Sequence, residues 1–126
     1  MTITAKKPSA AFTLVEVMIV VAIVGLLAVI AIPSYVKSRA RSQATACINN
    51  LRQIESGAQQ FAIEKGLHAG DVIVFPDDIL PYVKLNSANA IPACPANGLY
   101  NLLNVGVTPQ AVCSLGATVT PPHILE

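Results

Sequence analysis

Phe12–Ile32 reads FTLVEVMIVVAIVGLLAVIAI, and only Thr13, Glu16 and Gly25 in it fall outside the apolar set. As a helix rising 1.5 Å per residue, the stretch spans about 30 Å, the thickness of a bilayer's hydrocarbon core. A secretory signal has a shorter apolar region, roughly 7–15 residues, closed at once by a small-residue cleavage site. Here Pro33, Ser34 and Tyr35 follow, and the A-x-A form at Ala44-Thr45-Ala46 lies far downstream. The stretch is therefore read as a membrane-spanning helix. Lys6 and Lys7 precede it and Lys37, Arg39 and Arg41 follow it, so flanking charge does not set its orientation.

The rest of the composition narrows the function classes. The chain has 126 residues, room for one small domain, with 53% hydrophobic and 12% charged residues and a mean hydropathy of +0.58. That balance excludes a disordered chain. A formal charge of +1 excludes binding nucleic acid by counterion release, and six aromatic residues without a tryptophan make no stacking platform. No Ser/His/Asp or Cys/His nucleophile motif, phosphate loop or catalytic carboxylate pair is visible, and Asp77-Asp78 reads as a helix start. No enzyme activity and no cofactor is expected.

Glu16 is the anomaly in the span. A carboxylate in an apolar helix costs several kcal/mol in lipid unless it is partnered. It can snorkel to the headgroups from the first turns, or pair with a positive charge on another chain. Ala11-Phe12-Thr13-Leu14-Val15-Glu16 followed by the apolar helix resembles the processing site of type IV pilins and type II secretion pseudopilins. Gly25, Pro33 and Tyr35 fall where that family carries a glycine, a kink-making proline and a tyrosine. The resemblance covers about residues 6–40.

It implies a cytoplasmic leader at 1–11, cut between Ala11 and Phe12 by a prepilin peptidase that also methylates the new amino terminus. It further implies that Glu16 pairs with the amine of a neighbouring subunit's Phe12. The residue before the cut is Ala11, where the family usually carries Gly. Segment 12–33 is then the transmembrane and assembly helix, in which Gly25 and Pro33 weaken the helix at two points. The implied location is the bacterial inner membrane, single-pass with the C-terminal region outside the cytoplasm, and then a periplasmic or surface filament. The implied partners are copies of the chain in a helical homopolymer, the peptidase, an inner-membrane assembly platform, minor pilins or pseudopilins, and the lipid bilayer.

From Ser34 to about Lys65 the pattern becomes one-sided. Ala44, Cys47, Ile48, Leu51, Ile54, Ala58, Phe61 and Ala62 recur at three- and four-residue steps, the signature of an amphipathic helix. Gly57 is expected to weaken this helix locally, and Gly66 is a C-cap candidate. Segment 34–66 thus continues the spine, and 67–126 must supply the small C-terminal region that covers its stripe. There Asp71–Phe75 reads as extended and Asp77 as opening a short helix to Val83. Leu99–Asn104 and Gln110–Leu115 read as a hairpin, and Ala117–Glu126 as an edge strand or a tail. The expected fold is α+β: a long N-terminal helix packed by a small antiparallel hairpin. After Asp78 the only acid is Glu126, so the acidic calcium loop of many major pseudopilins is not apparent.

Cys47, Cys94 and Cys113 all lie on the side the pilin reading exports, where disulfides persist. Cys94 and Cys113 bracket the hairpin and are the favoured pair, with Cys47 a small hydrophobe on the stripe. Cys47, Cys94, Cys113 and His123 are residue types that suit zinc, but no C-x-x-C spacing supports a site and none is assigned. His68, between Gly66 and Gly70, reads as a loop residue. The function expected is a structural subunit of a type IV pilus-like filament, with the secretion pseudopilus ahead of a surface pilus because the C-terminal region is small. The alternative is a non-polymerising single-pass membrane protein with a disulfide-stabilised extracytoplasmic domain.

Overall fold

The computed structural model describes residues 12–125, so the expected leader and the cut at Ala11 lie outside the described residues. The element order is α1 (Leu14–Lys65), a 3₁₀ turn (Leu80–Tyr82), β1 (Tyr100–Leu102) and β2 (Ala111–Cys113), the expected α+β layout. The described residues divide into two compact units, 12–36 and 37–125.

In the first unit α1 opens at a cap. The Glu16 amide donates to Thr13 Oγ1 at 3.2 Å, so the threonine satisfies one of the donors that the first turn leaves free. Helical structure runs through Gly25 and includes Pro33. The side chains of this stretch are exposed almost throughout.

The second unit is built on the other half of α1. Its buried residues are Ala44, Cys47, Leu51, Ile54, Gly57, Ala58 and Ala62: six of the eight expected stripe residues with Gly57 added, while Ile48 and Phe61 are only half-buried. Leu51 and Ile54 are fully buried, each contributing about 1.5–3 kcal/mol by area. Gly57 is not a mere weak point: a Cβ there would stand 2.6 Å from Val83 Cγ2, so the segment at 82–83 packs directly on the helix backbone. The helix ends in a Schellman motif, with Leu67 N–H donating to Ala62 O at 2.8 Å and Gly66 N–H to Ile63 O at 3.3 Å. Gly66 has φ +65°, the left-handed conformation this motif requires.

Asp71–Phe75 does not form a strand, but Ile73 within it is buried against the stripe. Asp77 opens no helix: the 3₁₀ turn starts later, without a side-chain cap, and Asp78 instead accepts from the Val74 amide at 2.8 Å. The hairpin is shorter than its pattern suggested. Tyr100 pairs with Cys113, Asn101 with Val112 and Leu102 with Ala111, antiparallel. Flanking bonds from Leu103 N–H to Gln110 O and from Ser114 N–H to Leu99 O, both 2.8 Å, extend the pairing by one residue at each end. Ala111 and Cys113 are buried and Val112 half-buried, the two-residue alternation of a sheet with one covered face. Segment 117–121 forms a turn and a bend and 122–125 is irregular, so no edge strand forms there. Ile73, Ile79, Val83, Cys94, Ala111 and Cys113 close over the helix stripe, and neither layer could bury its apolar face alone.

Candidate functional site

Two groups of residues stand apart from ordinary packing. The first is the segment that opens α1. Thr13-Leu14-Val15-Glu16 has the T-x-x-E spacing of a capping box, which the sequence reading did not take into account. Thr13 makes its half of that box, and Glu16, in the first turn, lies where a helix's positive end favours an anion by about 0.3–1 kcal/mol. The structure thus gives Glu16 a local role in its own helix beside any role between chains. Phe12, Leu14, Met18, Leu26, Val29 and Ile30 are all more than 60% exposed. None of its apolar stretch is buried, and among the described residues it is the one helix long and apolar enough to cross a membrane. A Cβ on Gly25 would meet nothing within 4 Å, so the chain itself does not demand a glycine there.

The second group is assembled in the second unit from four separate places. Cys47 comes from the middle of α1, Cys94 from the loop before β1, Cys113 from the end of β2 and His123 from the segment that follows it. All four are buried, and their ligand atoms lie within 4.8 Å of one another. Cys94 Sγ and His123 Nδ1 are 3.5 Å apart. The favoured Cys94–Cys113 bridge is not formed in the structure: all three thiols are free, and Cys47 is drawn into the same cluster instead of standing apart.

Local structure explains the convergence. Asn50, one turn beyond Cys47, sends its Nδ2 to Pro92 O at 3.4 Å and to the Tyr100 hydroxyl at 3.1 Å, and Gln43 Nε2 donates to Pro95 O at 3.3 Å. These bonds hold the Cys94 loop against the helix. Cys94 then opens a tight turn, with Asn97 N–H donating to Cys94 O at 3.0 Å and Asn97 at φ +63°. The turn brings the amides of Ala96 and Gly98 near the Cys94 sulfur. After β2 the chain folds back, and His123 N–H donates to Gly116 O at 2.7 Å.

The electrostatics differ between the thiols. Burial pushes the Cys47 thiol up to about 12, and the nearby Tyr100 hydroxyl acts in the opposite sense. Burial acts on Cys94 in the same sense, but the amides of Ala96 and Gly98 and the neighbouring thiols outweigh it and hold that thiol below its ordinary value. Burial also raises Tyr100. Tyr100 and Asn50 were not singled out from sequence. The Tyr100↔Cys113 register, which sets the tyrosine beside a cysteine, is fixed only by the folded hairpin. His68 is exposed, as a loop residue, and its amide donates to Asp71 Oδ2 at 2.7 Å.

Residues 6–32 match the family model of the prokaryotic N-terminal methylation motif. The chain is 48% identical over 54 residues to the type IV major pilin protein PilA of Myxococcus xanthus, covering 43% of this chain and 24% of that one. It is 43% identical over 58 residues to a fimbrial protein of Pseudomonas aeruginosa, covering 46% and 38%. To a type IV major fimbrial protein FimA of Dichelobacter nodosus it is 41% identical over 63 residues, covering 50% and 40%. The similarity thus spans less than half the length of each of these relatives. No solved structure matches the chain.

Proposed function

We propose that this chain, which carries the N-terminal methylation motif and is similar to type IV pilins over about half its length, is a structural subunit of a type IV pilus-like filament. The observation that carries the reading is the motif match over residues 6–32, which includes Phe12 and Glu16. A prepilin peptidase cleaves before Phe12 and methylates its amine. The subunit then waits in the inner membrane, its C-terminal region outside the cytoplasm, until an assembly platform adds it to the polymer, with minor pilins as further partners.

The exposed apolar surface of α1 supports this mechanism. Side chains such as Leu14, Leu26 and Ile30 need either lipid or other helices around them, and a bundle of identical helices supplies the second. In the bilayer Glu16 lacks a fixed cationic partner. In the filament the amine of Phe12 on an incoming subunit reaches Glu16 of a subunit already placed. The pair also sets the axial register, because a shifted helix would leave both charges buried and alone. Gly25 and Pro33 let the helix adjust between lipid and polymer.

The kind of filament is a finer part of the proposal. The relatives' names, all type IV pilins or fimbrial proteins, favour a surface pilus over the secretion pseudopilus. Intact-mass measurement of the native protein tests the core of the reading: the chain should begin at N-methyl-Phe12, and retention of residues 1–11 would overturn it. Shear fractionation and electron microscopy of the same cells then separate the two filaments. Surface fibres containing the chain identify a pilus, and a secretion defect on deletion without surface fibres identifies a pseudopilus.

A further inference from the structure

The cluster around Cys47 has no part in filament assembly as proposed, and its geometry is more than that of three buried thiols. We infer that Cys47, Cys94, Cys113 and His123 form a four-ligand structural zinc site. Three thiolates and one imidazole are a standard donor set for closed tetrahedral zinc. With Zn–S near 2.3 Å, the ligand atoms of such a site are about 3.8 Å apart. Here they lie within 4.8 Å of one another, so closure around an ion asks for movements of about 1 Å or less.

The surroundings suit the bound state. Three thiolates, a neutral imidazole and Zn²⁺ carry a net charge of −1, which a buried site must offset with donors. The structure places candidates beside the cluster: the amides of Ala96 and Gly98 in the turn that Cys94 opens, and the Tyr100 hydroxyl, itself held by Asn50, next to Cys47. Such outer partners orient ligands and tune the metal. His123 strengthens the case. It is 3% exposed, and its Nδ1 faces the Cys94 sulfur at 3.5 Å. A buried ring aimed at three sulfurs serves little purpose in apolar packing.

Binding replaces the thiol protons, so up to three protons are released per zinc and affinity rises with pH. The ion would tie the helix, the Cys94 loop, the hairpin and the C-terminal segment together at one point. Small domains with a limited core commonly need such a staple.

The test uses the full chain, extracted in mild detergent without chelator and kept reduced under anaerobic conditions. Elemental analysis should find one zinc per chain. Replacement by cobalt should give the intense visible bands of a tetrahedral thiolate complex. His123→Ala should abolish stoichiometric zinc, whereas His123→Cys should keep it and shift the cobalt spectrum toward four thiolates, which separates lost ligation from lost folding. Tyr100→Phe should weaken binding about 10- to 100-fold. Absence of stoichiometric zinc together with no cobalt thiolate bands after titration would overturn the site. So would a disulfide between any two of these cysteines in protein alkylated before lysis. Neither readout depends on polymerisation, so the site and the filament reading stand or fall separately.

Discussion

Gly98 runs so close to Cys113 that a Cβ built on it would lie 2.5 Å from the Cys113 sulfur, with Leu115 Cδ1 at 3.2 Å on the same side. The close pass lets the turn after Cys94 lie flat on the end of β2, which brings the second and third sulfurs of the cluster together. Gly98→Ala should therefore push Cys113 or the loop outward. The expected cost is that of overpacking, about 1–3 kcal/mol, read as a lower thermal midpoint of the full chain. Gly98→Ala at unchanged stability would mean that the loop gives way freely.

Gly57 makes the same kind of contact on the helix. Helix propensity alone would make Gly57→Ala stabilising by about 1 kcal/mol. The Cβ would however stand 2.6 Å from Val83 Cγ2, on a stiff β-branched side chain that is itself buried. The clash should win, leaving the variant less stable by about 1 kcal/mol. In the background of Val83→Ala, which removes the clashing methyl, the same substitution should become neutral or stabilising. Denaturant unfolding of the four proteins in this cycle gives the coupling directly.

Tyr82 carries a pH dependence of known sign. Its hydroxyl donates to Glu64 Oε2, and that bond, with smaller contributions from burial and the carboxylate charge, raises the phenol above its ordinary value. A group raised in the folded state stabilises fully below its unfolded value, about 10 for tyrosine, and that stabilisation is lost as pH rises through the folded value. The Tyr82 ring should thus titrate later than a free tyrosine, and Glu64→Gln should bring it down. Ring-carbon chemical shifts followed from neutral to alkaline pH read both midpoints.

The architecture was legible where it depends on local periodicity. Ala44, Cys47, Leu51, Ile54, Ala58 and Ala62 repeat at helical spacing because one face must be buried, and Gly66 stops the helix by a conformation few other residues adopt. The hairpin lies where Leu99–Asn104 and Gln110–Leu115 predict it, although only its centre pairs as strand. What could not be read depends on which distant segments meet. Asp71–Phe75 has strand-like residues but joins no sheet, and it packs on the core by the buried Ile73 and the half-buried Phe75. Asp77 was placed as a cap from its position before apolar residues, but the neighbouring Asp78 takes the amide bond instead. The four-residue cluster is the clearest case. Its members sit on four segments with no ligand spacing between them, and only the folded hairpin and the returning C-terminal segment bring them within reach.

Processing offers a test that does not involve folding. The residue before the proposed cut is Ala11, and the prepilin pattern this chain resembles usually has glycine there. If the peptidase needs the chain to pass through a narrow site at that point, the methyl group slows cleavage. Ala11→Gly should then raise the mature fraction and leave the membrane-inserted total unchanged. Quantitative mass spectrometry of peptides starting at Phe12 against those spanning residues 11 and 12 measures the ratio. An unchanged ratio would show that the peptidase tolerates alanine fully.

Glu16 has two competing physical roles, and one substitution separates them. As the third residue after Thr13 it suits the capping box, a role that glutamine fills about as well. As the partner of a methylated Phe12 amine on another subunit it must carry negative charge, which glutamine lacks. Glu16→Gln should therefore insert, fold its first turn and be cleaved normally, yet fail to polymerise as sole subunit. Glu16→Ala should do the same and in addition weaken the helix start slightly, by a few tenths of a kcal/mol to about 1. The distinction rests on magnitude. A charge pair enclosed by apolar helices is screened far less than an exposed bridge of about 0–1 kcal/mol, and losing one partner strands the other. Electron microscopy and shear fractionation of cells making fully processed Glu16→Gln protein decide the matter. Normal filament yield would assign Glu16 to its own helix and leave apolar packing to hold the polymer. Absence of filaments, with cleavage and membrane insertion intact, would assign it to the contact between subunits.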